Sequence, residues 1–153
     1  DVVRHLVEVG AHKDQATNDG ATPLFIAAAN GHIDVVRHLV EVGAHKDQAT
    51  NDGATPLSIA AENGHIDVVC HLVEVGGQNE ATMDIGVTAL HAAAEIGHVE
   101  IVRFLIERGA DGHATTSCGR TALDLASQGG HSEVVRFLAK IRSESPSKIP
   151  RLG

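Results

Sequence analysis

Eleven histidines in 153 residues raise the question of a metal site first. Most of them fall into two series. His32, His65, His98 and His131 recur every 33 residues, and so do His5, His38 and His71. A repeated step of that length places each series at one structural position in successive units. Packed helices lie about 8–10 Å apart, whereas zinc holds an imidazole nitrogen at about 2.1 Å. Histidines one unit apart would therefore need long reaches to share an ion, and no metal or cofactor is expected.

A second chemical candidate is the stretch DGHATTSCG, which brings Asp111, His113 and Cys118 close in sequence. A thiol beside an imidazole is the pattern of a Cys–His nucleophile. Gly, Ser, Thr and Asp are also the residues that tight turns select. No oxyanion donor or orienting group accompanies the pair, so a turn is the expected structure and catalysis is not expected. Cys70 stands where the preceding copy has Arg37, which marks it as a surface substitution on a helix. The glycines never form GxxxxGK[ST] or GxGxxG, so the chain has no phosphate-cradling loop of those kinds.

The elements that would position these residues follow from the same period. DVVRHLVEVGAHKDQATNDGATPL occupies residues 1–24 and again 34–57, letter for letter. Thr22, Thr55, Thr88 and Thr121 keep the step, as do Gly31, Gly64, Gly97 and Gly130. Within a unit, Thr22 suits a helix N-cap and Pro23 the first helical position, which needs no N–H. Leu24, Ala27 and Ala28 fall on one face of that helix, and Gly31 allows the left-handed turn that ends it. A second helix begins near Asp34, where the helix dipole favours an acid, and shows an apolar stripe of Val36, Leu39 and Val40. Gly43 closes it, and AHKDQATNDGA reads as an extended turn or hairpin. One such unit cannot bury its apolar face alone, but stacked copies can, each meeting only its neighbours. A linear stack also explains how identical segments serve twice.

The segments GATPLFIAAANGHIDVVRHLVEVGA, GATPLSIAAENGHIDVVCHLVEVGG and GVTALHAAAEIGHVEIVRFLIERGAD resemble ankyrin repeats in period and in the T-P-L-H-x-A core. The resemblance covers about residues 1–142. It implies an all-α solenoid of helix-turn-helix units with short β-hairpin loops, curved so that hairpins and first helices form a concave face. The units would be a partial repeat at 1–16, full repeats at 17–49, 50–82 and 83–115, and a C-terminal capping repeat at 116–142. Residues 143–153 would be a disordered basic tail. Of the family's usual His, only His91 remains; Phe25, Ser58 and Asp124 replace it. Asp47, Glu80 and His113 stand where the family often has Asn, which argues against the asparagine hydroxylation some members undergo. Ser127 and Ala139-Lys140-Ile141-Arg142 depart from the other units as a capping repeat would. Residues 1–16 resemble a second half-repeat, which leads to the expectation of a fragment from a longer protein, with an uncapped start able to self-associate weakly.

Charge narrows the partner. The net charge is −8. Residues 1–139 carry −11 and residues 140–153 carry +3. An acidic body repels phosphate, so nucleic acid is not an expected partner. The longest apolar run, Leu24 to Ala29, is far below the roughly 18 residues of a membrane span, so no membrane insertion is expected. Two cysteines make no disulfide framework, and a cytoplasmic location is expected. Ser147-Lys148-Ile149-Pro150 in the tail resembles the short signal read by microtubule end-binding proteins.

These features point to a protein-binding or scaffolding module without enzymatic activity. The alternatives are a non-catalytic segment of a larger enzyme, channel or ubiquitin-ligase adaptor, and a bare array with no specific partner. The resemblance places contacts at hairpin tips and the exposed ends of first helices. The residues expected to bind are Asp52, Glu62 and Asn63 in the second full unit, Met83, Ile85, Val87, Glu95 and Ile96 in the third, and Arg120 in the fourth. The third unit alone puts apolar groups at such positions, rimmed by Asp84 and Glu95.

Overall fold

The computed structural model describes residues 13–76 and 88–144. Met83, Ile85, Val87, the tail motif and residues 1–12 lie outside these. Among the described residues eight helices follow one another in pairs: α1 (Pro23–Ala29) with α2 (Ile33–Glu41), α3 (Pro56–Glu62) with α4 (Ile66–Glu74), α5 (Ala89–Ile96) with α6 (Val99–Glu107), and α7 (Ala122–Gly129) with α8 (Ser132–Glu144). The last helix runs two residues past the expected boundary at 142.

Each first helix starts in the same way. Thr22, Thr55, Thr88 and Thr121 are extended N-caps whose hydroxyls accept from the amide three residues on. The side chain at that third position decides whether the cap is reciprocal. Ser58, His91 and Asp124 each accept in return from the threonine N–H, at 2.9, 3.2 and 2.9 Å. Phe25 has no acceptor to offer, and α1 has the hydroxyl bond alone. A Thr cap stabilises a helix by about 1 kcal/mol. Short helices such as these need it, because an isolated helix of this length does not persist in water.

The core is aliphatic, as the near absence of aromatics requires. Leu24, Ala27 and Ala28 are buried, and Ala60, Ala61, Ala93, Ala94 and Ala126 continue the row in later units. Val35, Val36 and Leu39 supply the buried stripe of α2, with Val40 packed at its edge. First helices pack on first helices more intimately than second helices pack on second helices. Alanine is the cause: its small side chain lets backbones approach, while the second helices are separated by Val, Leu and Ile. A stack closer on one side than on the other bends toward the closer side, which puts the first helices on the concave face.

Among the described residues the loops between units close as tight hairpin turns without extended strands. Thr17 N–H donates to Ala21 O at 2.9 Å, Thr50 N–H to Ala54 O at 2.8 Å, and Thr116 N–H to Arg120 O at 2.8 Å. One isolated antiparallel bridge, Thr115 with Thr121, is formed among the described residues. Too few residues flank each turn to extend a ladder before the Thr cap begins the next helix. The final unit turns water-tolerant residues outward, with Ser127, Ala139 and Lys140 all exposed.

Candidate protein-binding surface

What holds the first helices in line is a contact made by the recurring histidines. His65 Nε2 lies 3.0 Å from the carbonyl oxygen of Ala29, His98 Nε2 2.9 Å from that of Glu62, and His131 Nε2 2.8 Å from that of Glu95. A carbonyl can only accept, so each Nε2 carries the proton and donates. Every histidine thus reaches back one unit to satisfy an orphan carbonyl at the end of a first helix. Its ring rests on the glycine of the unit before. A Cβ at Gly31 would stand 2.5 Å from His65 Nδ1, and one at Gly64 2.7 Å from His98 Cε1. The glycine at this position is needed twice over, for its positive φ and for the space the ring fills.

His91 works differently. It is fully buried, accepts through Nδ1 from Thr88 N–H, and donates through Nε2 to Ala114 O at 2.9 Å. It ties the start of α5 to the backbone at the far end of the same unit. His38 and His71 occupy a third environment, in which each Nε2 is buried without a hydrogen-bond partner. None of these positions gathers ligands. Among the described residues no group of three or more His, Cys, Asp or Glu is placed as a metal site requires.

The Asp111–His113–Cys118 stretch is divided between two turns. Asp111 accepts from His113 N–H at 2.8 Å, and Cys118 N–H donates to Thr116 Oγ1 at 3.3 Å. In both, a side-chain oxygen accepts from the backbone N–H two residues on, as turns arrange, and the thiol and imidazole are not bonded to each other. Cys70 is half-buried on α4, and burial, then the Glu74 carboxylate, push its thiol above the ordinary range. A thiol held protonated is a poor nucleophile.

The concave face therefore carries the remaining opportunity. Asp52 is exposed at a turn tip and accepts from Thr50 Oγ1 at 2.7 Å. Asp19 holds the same place one unit earlier, and the Thr17 hydroxyl beside it keeps its carboxyl below the usual carboxylate range. Glu62 is half-buried and Glu95 exposed, and neither side chain has a hydrogen-bond or ion-pair partner among the described residues. Ile96 is 47% exposed and Ile26 40% exposed. These are two of the three large apolar side chains exposed among the described residues, and both sit on first helices.

Other polar residues of this face are engaged within the stack. Asn63 donates to Ala29 O at 2.8 Å, across the unit boundary. Arg120 is half-buried and donates to Gln128 Oε1. Asn51 bridges two turns through its amide to Asp19 O at 2.9 Å and its side chain to Asn18 O at 3.0 Å. Sequence reasoning passed over Ile26. Its equivalents Ile59, Ala92 and Leu125 are half-buried or buried, so residue type alone gives no signal of its exposure.

Among the described residues no helix is long and apolar enough to cross a membrane. The family model described as ankyrin repeats (three copies) matches residues 1–84 and again residues 75–148. No curated protein matches the chain.

Proposed function

Because this chain belongs to the ankyrin-repeat family, whose stacks are generally protein–protein interaction modules, we propose that it binds a protein partner on its turn tips and first helices. The observation that carries this reading is Ile96, 47% exposed at the end of α5 beside the exposed Glu95. The first two full units have Asn30 and Asn63 at that position, so nothing in the repeat requires an apolar residue there. An exposed isoleucine next to unpartnered carboxylates suits an apolar anchor with a basic rim. Glu62, Glu95 and Asp52 supply the rim in this proposal. Met83, Ile85 and Val87 precede α5 in sequence and extend the apolar character of the third unit.

The test is Ile96→Asn, which installs the residue of the first two full units. Binding to a partner captured through the wild-type chain should fall about tenfold, the size of one lost buried contact of about 1.4 kcal/mol, while the melting temperature barely moves. Arg37→Ala, on the exposed outer face of α2, serves as the control and should bind normally. Unchanged binding by Ile96→Asn with lost binding by Arg37→Ala would place the contact on the opposite face.

A further inference from the structure

One reactive pair of residues occurs twice, in the same sequence but in two settings. Asn-Gly-His-Ile-Asp-Val-Val occupies residues 30–36 and again 63–69. In an Asn-Gly pair the backbone nitrogen can reach the side-chain amide, because glycine puts no Cβ in the way. Asn18, Asn51 and Asn79 are followed by acids instead. Asn30 and Asn63 are exposed C-caps of α1 and α3, each with ψ of 0°. At that angle the glycine nitrogen eclipses the asparagine's own nitrogen and stands clear of the side-chain carbonyl carbon. Each side-chain amide is also occupied, Asn30 Nδ2 donating to Ile26 O at 2.8 Å and Asn63 Nδ2 to Ala29 O at 2.8 Å. Attack therefore requires the end of the helix to open. The glycine amides are held alike, Gly31 N–H by Ala28 O at 3.2 Å and Gly64 N–H by Ala61 O at 3.4 Å, so the surroundings decide. Among the described residues α3 packs on first helices at both sides and α1 on one alone. α3 has the reciprocal cap of Thr55 and Ser58, whereas α1 has only the Thr22 hydroxyl bond. Helices of seven residues open as a whole, so a weaker start also loosens the end. Asn63 is bonded across a unit boundary, and Asn30 only within its own last turn.

We infer that Asn30-Gly31 is a spontaneous deamidation site that reacts from the folded stack, and that the identical Asn63-Gly64 is guarded by its neighbours. When the end of α1 opens, the Gly31 backbone nitrogen gives its proton to hydroxide and attacks Cγ of Asn30. The new N–Cγ bond closes a succinimide, and the side-chain nitrogen leaves as ammonia. Water then adds to one of the two imide carbonyls. Breaking the N–Cγ bond leaves an aspartate at position 30. Breaking the bond from nitrogen to the main-chain carbonyl carbon leaves an isoaspartyl link that runs through Cβ. Nothing is oxidised or reduced in either branch. Both products exchange an amide donor for a carboxylate, which cannot donate to Ile26 O. They also place negative charge at the C-terminal end of α1, where the helix dipole disfavours it. The isoaspartyl link further lengthens the main chain immediately before Gly31, against which the His65 ring rests. The carbonyl of Ala29, which accepts from both Asn63 and His65, stands one residue before the altered position. Deamidation at residue 30 thus loosens the joint between the first two full units.

The full chain is incubated in mildly alkaline buffer, folded in one sample and unfolded in urea in the other. Tandem mass spectrometry of proteolytic fragments follows the mass gained when an amide becomes an acid, separately at residues 30 and 63. Asp19-Gly20, Asp52-Gly53 and Asp111-Gly112 can close the same ring but regain their mass on hydrolysis, so the gain reports asparagine alone. Dividing each folded rate by the rate of the same site in urea removes the effect of the preceding residue, Ala29 or Glu62. That quotient should be about fivefold larger at Asn30 than at Asn63, the factor that one helix-cap bond sets. Native-state amide exchange at Gly31 and Gly64 reads the opening itself and should rank the two sites in the same order. Asn30→Asp carries the aspartate product in every molecule and should melt below the wild-type chain. Equal quotients, or a larger one at Asn63, overturn the proposal. So does the absence of mass gain at residue 30 in the folded chain over the time in which the unfolded chain converts. An Asn30→Asp chain that melts at or above the wild-type temperature overturns the loosening of the joint.

Discussion

His98 donates its Nε2 proton to the carbonyl oxygen of Glu62 at 2.9 Å while its ring lies against Gly64, the residue two after that carbonyl. One side chain thus satisfies a helix end and fills the space that a side chain on the glycine would need. Gly64→Ala should therefore cost more than a positive-φ glycine normally does. Its φ is +82°, and a Cβ would meet His98 Cε1 at 2.7 Å. Gly109 has a φ of +100° with nothing within 4 Å, so Gly109→Ala carries the backbone strain alone, about 1 kcal/mol. Gly64→Ala should lose about 2–3 kcal/mol, since the ring must also give up its hydrogen bond. Urea midpoints of the two variants measure the difference. In the background of His98→Ala the excess should vanish, a non-additivity that a double-mutant cycle resolves. Equal losses at Gly64 and Gly109 would remove the histidine from the explanation.

The period of the chain made the units, their caps and their apolar stripes legible. Thr22 with Pro23, and Leu24 with Ala27 and Ala28, act locally, and local chemistry is what sequence spacing encodes. The histidine ladder was legible only as a repeated position. Its acceptor lies 36 residues away, on the backbone of the preceding unit, and a carbonyl has no sequence signature. The same limit hid the roles of Asn51 and Asn63, whose residue type fits a partner contact and a contact within the stack equally well. The exposure of Ile96 could be anticipated because the first two full units carry Asn there. That of Ile26 could not, because Ile59 at the same step is half-buried.

His38 and His71 should be replaceable at a gain. Each has a buried Nε2 without a partner, and the same register holds Phe104 and Phe137 in the later units. An unsatisfied buried polar atom costs about 1–3 kcal/mol, part of which a ring without nitrogen recovers. His38→Phe and His71→Phe should each raise stability by about 0.5–1.5 kcal/mol, a shift of a few degrees in thermal melting. A lowered melting temperature would show that the nitrogens are used.

The reciprocal caps should differ in strength. His91 is fully buried and bonded to both Thr88 and Ala114, so His91→Ala leaves Thr88 N–H and Ala114 O without partners and opens a cavity. It should cost about 3 kcal/mol. Ser58→Ala loses a smaller group in the same cap and should cost about 1 kcal/mol. Guanidinium titrations of the two variants compare them, and the reverse order would mean that the bond to Ala114 is dispensable.

Asp124 gives the last cap a pH signature. The Thr121 backbone N–H, followed by the Thr121 side chain, holds its carboxyl below the usual carboxylate range. A folded-state pKa below the unfolded one means that the unfolded chain binds the proton more readily. The stabilisation is therefore fully present above the unfolded pKa of about 3.9 and disappears as the pH falls through the lower folded value. Asp124→Asn should be less stable than the wild-type chain at neutral pH, and the two should converge in strong acid. Ser58 fills the same cap without titrating, so Ser58→Ala should show a difference from wild type that does not change across that window. Thermal melts between about pH 2 and pH 7 follow both pairs. A gap between wild type and Asp124→Asn that persisted undiminished at the acid end would mean that the carboxylate charge contributes nothing to the cap.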